Sequence, residues 1–322
     1  MRILITGGAG FIGSNFVRRT LTGAYPGLRG AHVTVLDLLT YAGNRDNLAP
    51  VARHPAMTFR QGDIADEKLV RDLMRDVELV VHFAAETHVD RSIEGGHRFV
   101  ATNVLGTHTL LDAARQAGVP KIVQISTDEV YGSISAGSWT EDEPLLPNSP
   151  YSASKAAADL LARAQHSTHG LPVCIVRPSN GYGPYQFPEK LIPLFVTSLL
   201  DGLTVPLYGD GGHIREWLHV DDLCRAVALV AERGLPGEVY NVGGESELTN
   251  LELTETLLRL TGRERSLVRR VPDRLGHDRR YSMATEKIAR LGFRPRIALA
   301  TGLAATVRWY AAHRAWWEPL RG

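Results

Sequence analysis

Cysteine is almost absent from the 322 residues: Cys174 lies in an apolar, strand-like run and Cys224 in a helix-like one. Two such thiols exclude a disulfide-stapled scaffold and a cysteine-based zinc site, and no metal is expected. Long apolar runs are missing too, since none approaches the ~18 residues of a membrane-spanning helix. The start, Met1-Arg2-Ile3-Leu4-Ile5-Thr6-Gly7, shows no apolar leader ahead of a small-residue cleavage site. Charge of one sign is not in excess, with 36 Lys+Arg against 35 Asp+Glu and a formal net charge of +1. No global field draws the chain to nucleic acid or an anionic membrane, so any phosphate recognition has to be local. Lysine is scarce, only Lys68, Lys121, Lys155, Lys190 and Lys287. These absences lead to the expectation of a cytoplasmic, reduced protein with no nucleic-acid and no membrane partner.

What is present is ordinary globular material, 44% hydrophobic and 22% charged, enough for one large or two modest domains. From Arg2 to about Pro178, short apolar runs (Ile3–Ile5, His32–Leu36, Met57–Phe59, Leu79–Phe83, Lys121–Ile125, Val173–Val176) alternate with amphipathic segments near 11–21, 69–75, 99–117 and 151–169. Near-continuous apolar strands separated by helices predict an α/β fold, a Rossmann-type doubly wound parallel sheet. After about Gly181 the alternation gives way to Gly- and Pro-rich loops, with helices expected near 191–200, 221–232 and 250–260. Residues 1–180 are therefore read as a dinucleotide-binding domain and 181–322 as a smaller C-terminal substrate-binding lobe. A strand-like run at 238–243 is expected to return to the main sheet.

The first strand runs into Gly7-Gly8-Ala9-Gly10-Phe11-Ile12-Gly13 and then an apolar helix. Glycines at that spacing permit a tight turn whose amides approach a pyrophosphate at a helix N-terminus. The second strand ends in Asp37, placed to bond an adenosine ribose and to repel a 2′-phosphate, which favours NAD over NADP. Asp63, after the third run, is read as an adenine contact or a cap for the helix beginning near Asp66.

Tyr151-Ser152-Ala153-Ser154-Lys155 puts a phenol and an ammonium four residues apart on one face of a helix opening at Pro150. A free tyrosine, with pKa ~10, is a poor base at neutral pH, and a nearby Lys⁺ and a cationic nicotinamide ring both favour its phenolate. The preceding strand ends in Ile125-Ser126-Thr127-Asp128-Glu129-Val130-Tyr131-Gly132, which brings hydroxyl and carboxyl groups to the same strand-end cleft.

On these motifs, together with Glu86-Thr87-His88-Val89-Asp90-Arg91-Ser92-Ile93 and the Trp316-Trp317-Glu318-Pro319-Leu320 tail, the chain resembles the extended short-chain dehydrogenases/reductases, and among them the dTDP-glucose 4,6-dehydratases. The likeness spans essentially the whole chain. The glycines and the Tyr/Lys pair mark the superfamily; the adjacent acids of Thr127-Asp128-Glu129 discriminate, because related 4-epimerases lack them. The resemblance implies NAD as cofactor, dTDP-glucose as substrate, and Thr127, Asp128, Glu129, Tyr151 and Lys155 as the catalytic set. Tyr151 would deprotonate the C4 hydroxyl, Thr127 bond the resulting carbonyl, Glu129 remove the C5 proton and a protonated Asp128 assist departure of the C6 hydroxyl.

For the cofactor, the resemblance implicates Gly7, Gly10, Phe11, Ile12, Gly13, Asp37, Thr40, Asp63 and Ile64, together with Ala84, Ala85, Thr87, Thr102, Ser126 and Gly181 beside Tyr151 and Lys155. For the sugar nucleotide it implicates Thr87, Thr127, Asn180, Glu189, Lys190, Leu191 and Pro206, then Tyr208 beside the base, Arg215, Asn250, Arg274, His277 and Tyr281. It also implies a homodimer through the helices at 99–117 and 151–169. The sequence departs from the family at Leu38, where a polar residue is common, at Gly181, usually a second Asn, at Gly212-His213, and in a short 132–151 stretch. A 4-epimerase and a catalytically idle NAD-binding protein are the competing readings.

Overall fold

Runs of aliphatic and β-branched residues become strands in the computed structural model, which describes residues 1–321. In chain order the first six are β1 (Arg2–Thr6), β2 (His32–Asp37), β3 (Met57–Gln61), β4 (Leu79–His82), β5 (Ile122–Ile125) and β6 (Val173–Pro178). Next come β7 (Asn180–Tyr182), β8 (Val205–Tyr208), β9 (Ile214–His219), β10 (Val239–Val242), β11 (Glu247–Thr249) and β12 (Val268–Val271). A seven-stranded sheet has the order β3-β2-β1-β4-β5-β6-β10 and every pairing in it is parallel. Its strands are covered on both faces. One apolar core joins the sheet to the Phe11–Leu21 and Val220–Arg233 helices, and the other joins it to Glu67–Leu73, Thr107–Ala117 and Pro150–His169. Strand order reverses between β1 and β4, and that switch point opens the crevice where α/β sheets bind ligands.

The second half keeps its own core, in which Phe195, Trp217, Leu257, Tyr310 and Trp317 pack together. Around it lie a three-stranded β11-β9-β7 sheet and the β12-β8 pair. The helix at Leu299–Ala312 is a further element of this lobe that the apolar pattern had not marked out. The helix expected at 99–117 begins at His97 and carries a π-helical stretch over Val100–Gly106. Within this stretch Thr102 lines the crevice, while Asn103 is buried against the Glu86 backbone and Ser154.

A buried network ties the Pro150–His169 helix to the sheet. Pro150 occupies its first turn and Ser149 and Ser152 form a reciprocal capping box. One turn beyond Lys155, the carboxylate of Asp159 pairs with Arg177 of β6 at 2.9 Å, both side chains fully buried. Gln124 of β5 donates to Asp159 at 3.2 Å, Arg177 donates to the Tyr131 hydroxyl at 2.7 Å, and that hydroxyl donates to Asn241 of β10 at 2.8 Å. Removing one partner of such a pair leaves a buried charge uncompensated, so the helix that carries Tyr151 and Lys155 has little freedom to shift. Both cysteines are buried and unpaired, and among the described residues no helix is long and apolar enough to cross a membrane.

Candidate active site

Two adjoining cavities, of about 280 and 860 Å³, lie at the carboxyl ends of the strands. The first runs along the glycine turn. Gly7 has φ +67, and a Cβ there would stand 2.5 Å from the Ala84 amide nitrogen; a Cβ on Gly13 would meet the Gly7 carbonyl oxygen at 2.2 Å. Close crossing of the chain after β4 thus requires glycine. The helix that follows has no side-chain cap at Gly10 and no acid in its first turn, leaving its N-terminal amides for an anion. This turn, with an acid at the end of β2, fits a dinucleotide pyrophosphate and ribose. All the residues expected at the cofactor line this cavity: Gly7, Gly10, Phe11, Ile12 and Gly13 at the turn, Asp37, Thr40, Asp63 and Ile64 at one end, and Ala84, Ala85, Thr87, Thr102, Ser126, Tyr151, Lys155 and Gly181 at the other.

Several of these side chains do more than line a wall. Asp37 accepts from the Ala9 and Leu39 amides, both at 2.8 Å, and so shapes the turn it faces. Asp63 accepts from the Ala65 amide at 2.9 Å, while the cap of the Glu67–Leu73 helix is Asp66. Leu38 is 42% exposed on the cavity edge, offering no polar contact there.

The second cavity is bounded by Asn180, Glu189, Lys190, Leu191, Pro206 and Tyr208, and on its far side by Arg215, Asn250, Arg274, His277 and Tyr281. Arg215 is buried; it donates to the backbone carbonyls of Ile214 and Asp278 at 2.8 and 2.9 Å and stacks 4.3 Å over the Tyr281 ring. Lys190 donates to the Thr87 carbonyl at 2.6 Å, Arg274 lies 3.6 Å from Asp90, and the Tyr208 hydroxyl donates to Asp90 at 3.4 Å. The Asn180 and Asn250 side-chain oxygens and Arg274 Nε have no protein partner, so polar groups converge on this space. Thr87 does not cap the next helix; His88 does.

The two cavities meet at Glu129, Asn180, Gly181, Gln186, Phe187, Glu189 and Lys190. Glu129 and Asp128 follow β5 and are held by Thr127, whose hydroxyl donates to Asp128 at 3.2 Å and accepts from the Glu129 amide at 3.3 Å. Their surroundings differ. Burial, then the charges of Glu129 and Glu216, push the Asp128 carboxyl well above the usual carboxylate range. Burial also raises Glu129, but Lys190, Arg274 and Arg215 pull it back toward ionisation. Both carboxyls are thus raised by burial, Asp128 with two further acids adding to the rise and Glu129 with three cations opposing it.

Tyr151 in the protein without cofactor is a raised phenol. Burial and the two neighbouring acids push it well above its ordinary value, with only the Thr127 hydroxyl lowering it. Lys155 does not reach it as a hydrogen-bond donor; its ammonium donates to the Ile125 carbonyl at 2.7 Å, and burial lowers it to about 8. In the protein by itself the phenol is held neutral.

Other residues of the site carry no local sequence signal. Asn103 grips the Glu86 backbone twice, at 2.9 and 3.0 Å, and donates to the Ser154 hydroxyl at 2.8 Å, which in turn donates to the Tyr151 carbonyl at 2.7 Å. Tyr41 lies under the Arg91 guanidinium at 4.0 Å and edge-on to Phe187. His213 and His277 stack at 3.7 Å and both reach Asp273, at 3.2 and 2.7 Å. Burial lowers both rings, to about 4 at His277, and the two imidazoles converge on one carboxylate.

Comparison with known proteins accounts for this arrangement. The GDP-mannose 4,6 dehydratase family model matches residues 4–306. A dTDP-glucose 4,6-dehydratase of Streptomyces niveus is 58% identical over 322 residues, covering 100% of this chain and 96% of its own. The chain belongs to the dTDP-glucose 4,6-dehydratase family. Within the family, a Streptomyces venezuelae enzyme solved with NAD superimposes with a TM-score of 0.99 at 61% identity, covering all of both chains. A Bacillus anthracis member in complex with NAD gives 0.92 at 46% identity, again with full coverage of both.

Proposed function

We propose that this protein is an NAD-dependent 4,6-dehydratase that converts dTDP-glucose into dTDP-4-keto-6-deoxyglucose in deoxysugar biosynthesis. The observation that carries this is the adjacent pair Asp128 and Glu129, with acids raising the one and cations opposing the rise of the other, at the junction of a dinucleotide cavity and a cation-lined one. Bound NAD supplies the acceptor for the C4 hydride and its later donor to C6. Tyr151 takes the C4 hydroxyl proton, and the Thr127 hydroxyl bonds the ketone oxygen. That ketone acidifies the C5 hydrogen, which Glu129 removes, while neutral Asp128 gives its proton to the departing C6 hydroxyl as water. Lys155 ties the helix that carries Tyr151 to the end of β5 through the Ile125 carbonyl. A 4-epimerase needs no acid and base for water loss, and an idle binding protein needs neither these carboxyls nor Tyr151.

The deciding experiment is incubation with dTDP-glucose and no added reductant. Loss of one water with a 4-keto chromophore and no net NAD consumption is the expected result; conversion to the C4 epimer at unchanged mass overturns the dehydratase reading.

In the second cavity Arg215 and Lys190 serve the diphosphate, Arg supplying a planar fork for its oxygens. Arg215→Ala is expected to raise KM for the sugar nucleotide ~10- to 100-fold with a smaller loss in kcat. An unchanged KM removes that contact.

The assembly that fits is a homodimer. Val100, Leu105 and Leu160, on the helices over 97–117 and 150–169, are more than half exposed, an unusual state for neighbouring aliphatics. Sedimentation at micromolar concentration should give a dimer, and Leu105→Glu with Leu160→Glu a monomer; a native monomer refutes the pairing.

A further inference from the structure

The C-terminal Trp316 lines neither cavity, yet it reaches the glycine turn through one intermediary. Its indole Nε1–H donates to Asn47 Oδ1 at 3.0 Å, and Asn47 Nδ2 donates to the Ala9 carbonyl at 2.8 Å. Asn47 is buried, 269 residues away from Trp316 in sequence. The same carbonyl accepts from the Asn44 amide at 3.1 Å, and on the other edge of that peptide the Gly10 N–H donates to the Gly7 carbonyl at 3.1 Å, so the peptide that opens into Gly10 is pinned on both sides; the Ala9 N–H, one peptide earlier, donates to Asp37. An indole N–H is only ever a donor. Its presence therefore dictates which way the Asn47 amide faces, oxygen toward the tail and NH₂ toward Ala9.

The same indole packs edge-on at 5.5 Å against Tyr185, a non-glycine residue at φ +67 that begins the strap running into Gln186 and Phe187. Arg18 closes the circuit: its guanidinium lies 4.2 Å over the Tyr185 ring and donates to the Asn47 backbone carbonyl. A left-handed tyrosine is strained, and it persists where its surroundings over-determine it.

We propose that Trp316 is a positioning residue for the cofactor: through Asn47 it locks the Ala9-Gly10 peptide in the shape that holds NAD, and so sets how slowly NAD leaves. The inference rests on the NAD reading of the glycine turn and adds to it a control by the last residues of the chain. An enzyme that regenerates its dinucleotide in each turnover has use for slow release.

The test is NAD dissociation from the purified holoenzyme, followed after dilution into NAD-free buffer, with the melting temperature of the cofactor-free protein measured alongside. Trp316→Phe keeps the ring and removes the N–H; dissociation is expected to accelerate ~3- to 10-fold, the scale of one net hydrogen bond, with the cofactor-free melting temperature lowered by no more than a few degrees. Asn47→Asp, which cannot donate to the Ala9 carbonyl, should release NAD at least as fast, and adding Trp316→Phe to it should change nothing more. Wild-type dissociation from Trp316→Phe, or effects of the two changes that simply multiply, overturns the latch while leaving the cofactor reading intact. A wild-type protein that binds no NAD overturns both.

Discussion

Asp128→Asn combined with Glu129→Gln is expected to leave oxidation of the sugar running and to stop the loss of water. Both replacements keep size and hydrogen-bonding shape while deleting the proton donor and the base, so product release should fall by ~10³-fold or more, within the range of general acid–base contributions. Reduced-nicotinamide absorbance should appear on adding dTDP-glucose and persist, because the C4 ketone has formed and nothing can eliminate across C5 and C6. Continued release of 4-keto-6-deoxy sugar at the wild-type rate refutes the division of labour. The single variants separate the roles by pH. Glu129 works ionised, so the rate falls as pH drops through its raised value; Asp128 works protonated, so the rate falls as pH climbs through its own raised value. Glu129→Gln should take away the acid-side limb and Asp128→Asn the alkaline one. The two carboxyls interact, and the limbs of the unaltered enzyme report the pair.

The two adjacent acids after a strand were legible in the sequence, but the surroundings that set them apart were not. The cations that pull Glu129 toward ionisation, Lys190, Arg274 and Arg215, lie 61 or more positions further along the chain, and Glu216, which helps keep Asp128 neutral, comes from β9. Strand β5 and the Pro150–His169 helix could be read locally, since apolar runs, a proline at the first turn and a serine cap are properties of neighbouring residues. The short strands β7, β9 and β11 escaped because three to six residues, partnered from distant segments, carry little periodicity. Asn103 escaped for a related reason: a lone asparagine in a helix marks nothing until the π-helical stretch turns it onto the Glu86 backbone. The Leu299–Ala312 helix, rich in Ala and Thr with Trp and Tyr at its end, shows only a weak apolar stripe, and its place follows from packing against the lobe core.

Tyr151→Phe should block the reaction one step earlier than the carboxyl variants, which makes the pair of experiments diagnostic. Without the phenolic oxygen no group takes the C4 hydroxyl proton, so neither reduced-nicotinamide absorbance nor product should appear on adding dTDP-glucose, and turnover should fall by ~10³-fold or more. Bound NAD should be retained, because the ring itself still packs edge-on against Phe99 at 6.2 Å and the helix stays anchored through Asp159 and Arg177. Normal turnover means the base is misassigned. The raised phenol adds a second expectation. In the free protein, burial and the Glu129 carboxylate oppose phenolate, and Lys155 is turned to the Ile125 carbonyl. Proton removal then depends on positive charge arriving with the nicotinamide ring, so the phenol of the cofactor-free protein should titrate well above its ordinary value and move down when NAD binds. Ultraviolet difference titration of wild type against Tyr151→Phe isolates that one phenol. A phenolate already present near neutral pH without NAD would place its stabilisation in Lys155 alone.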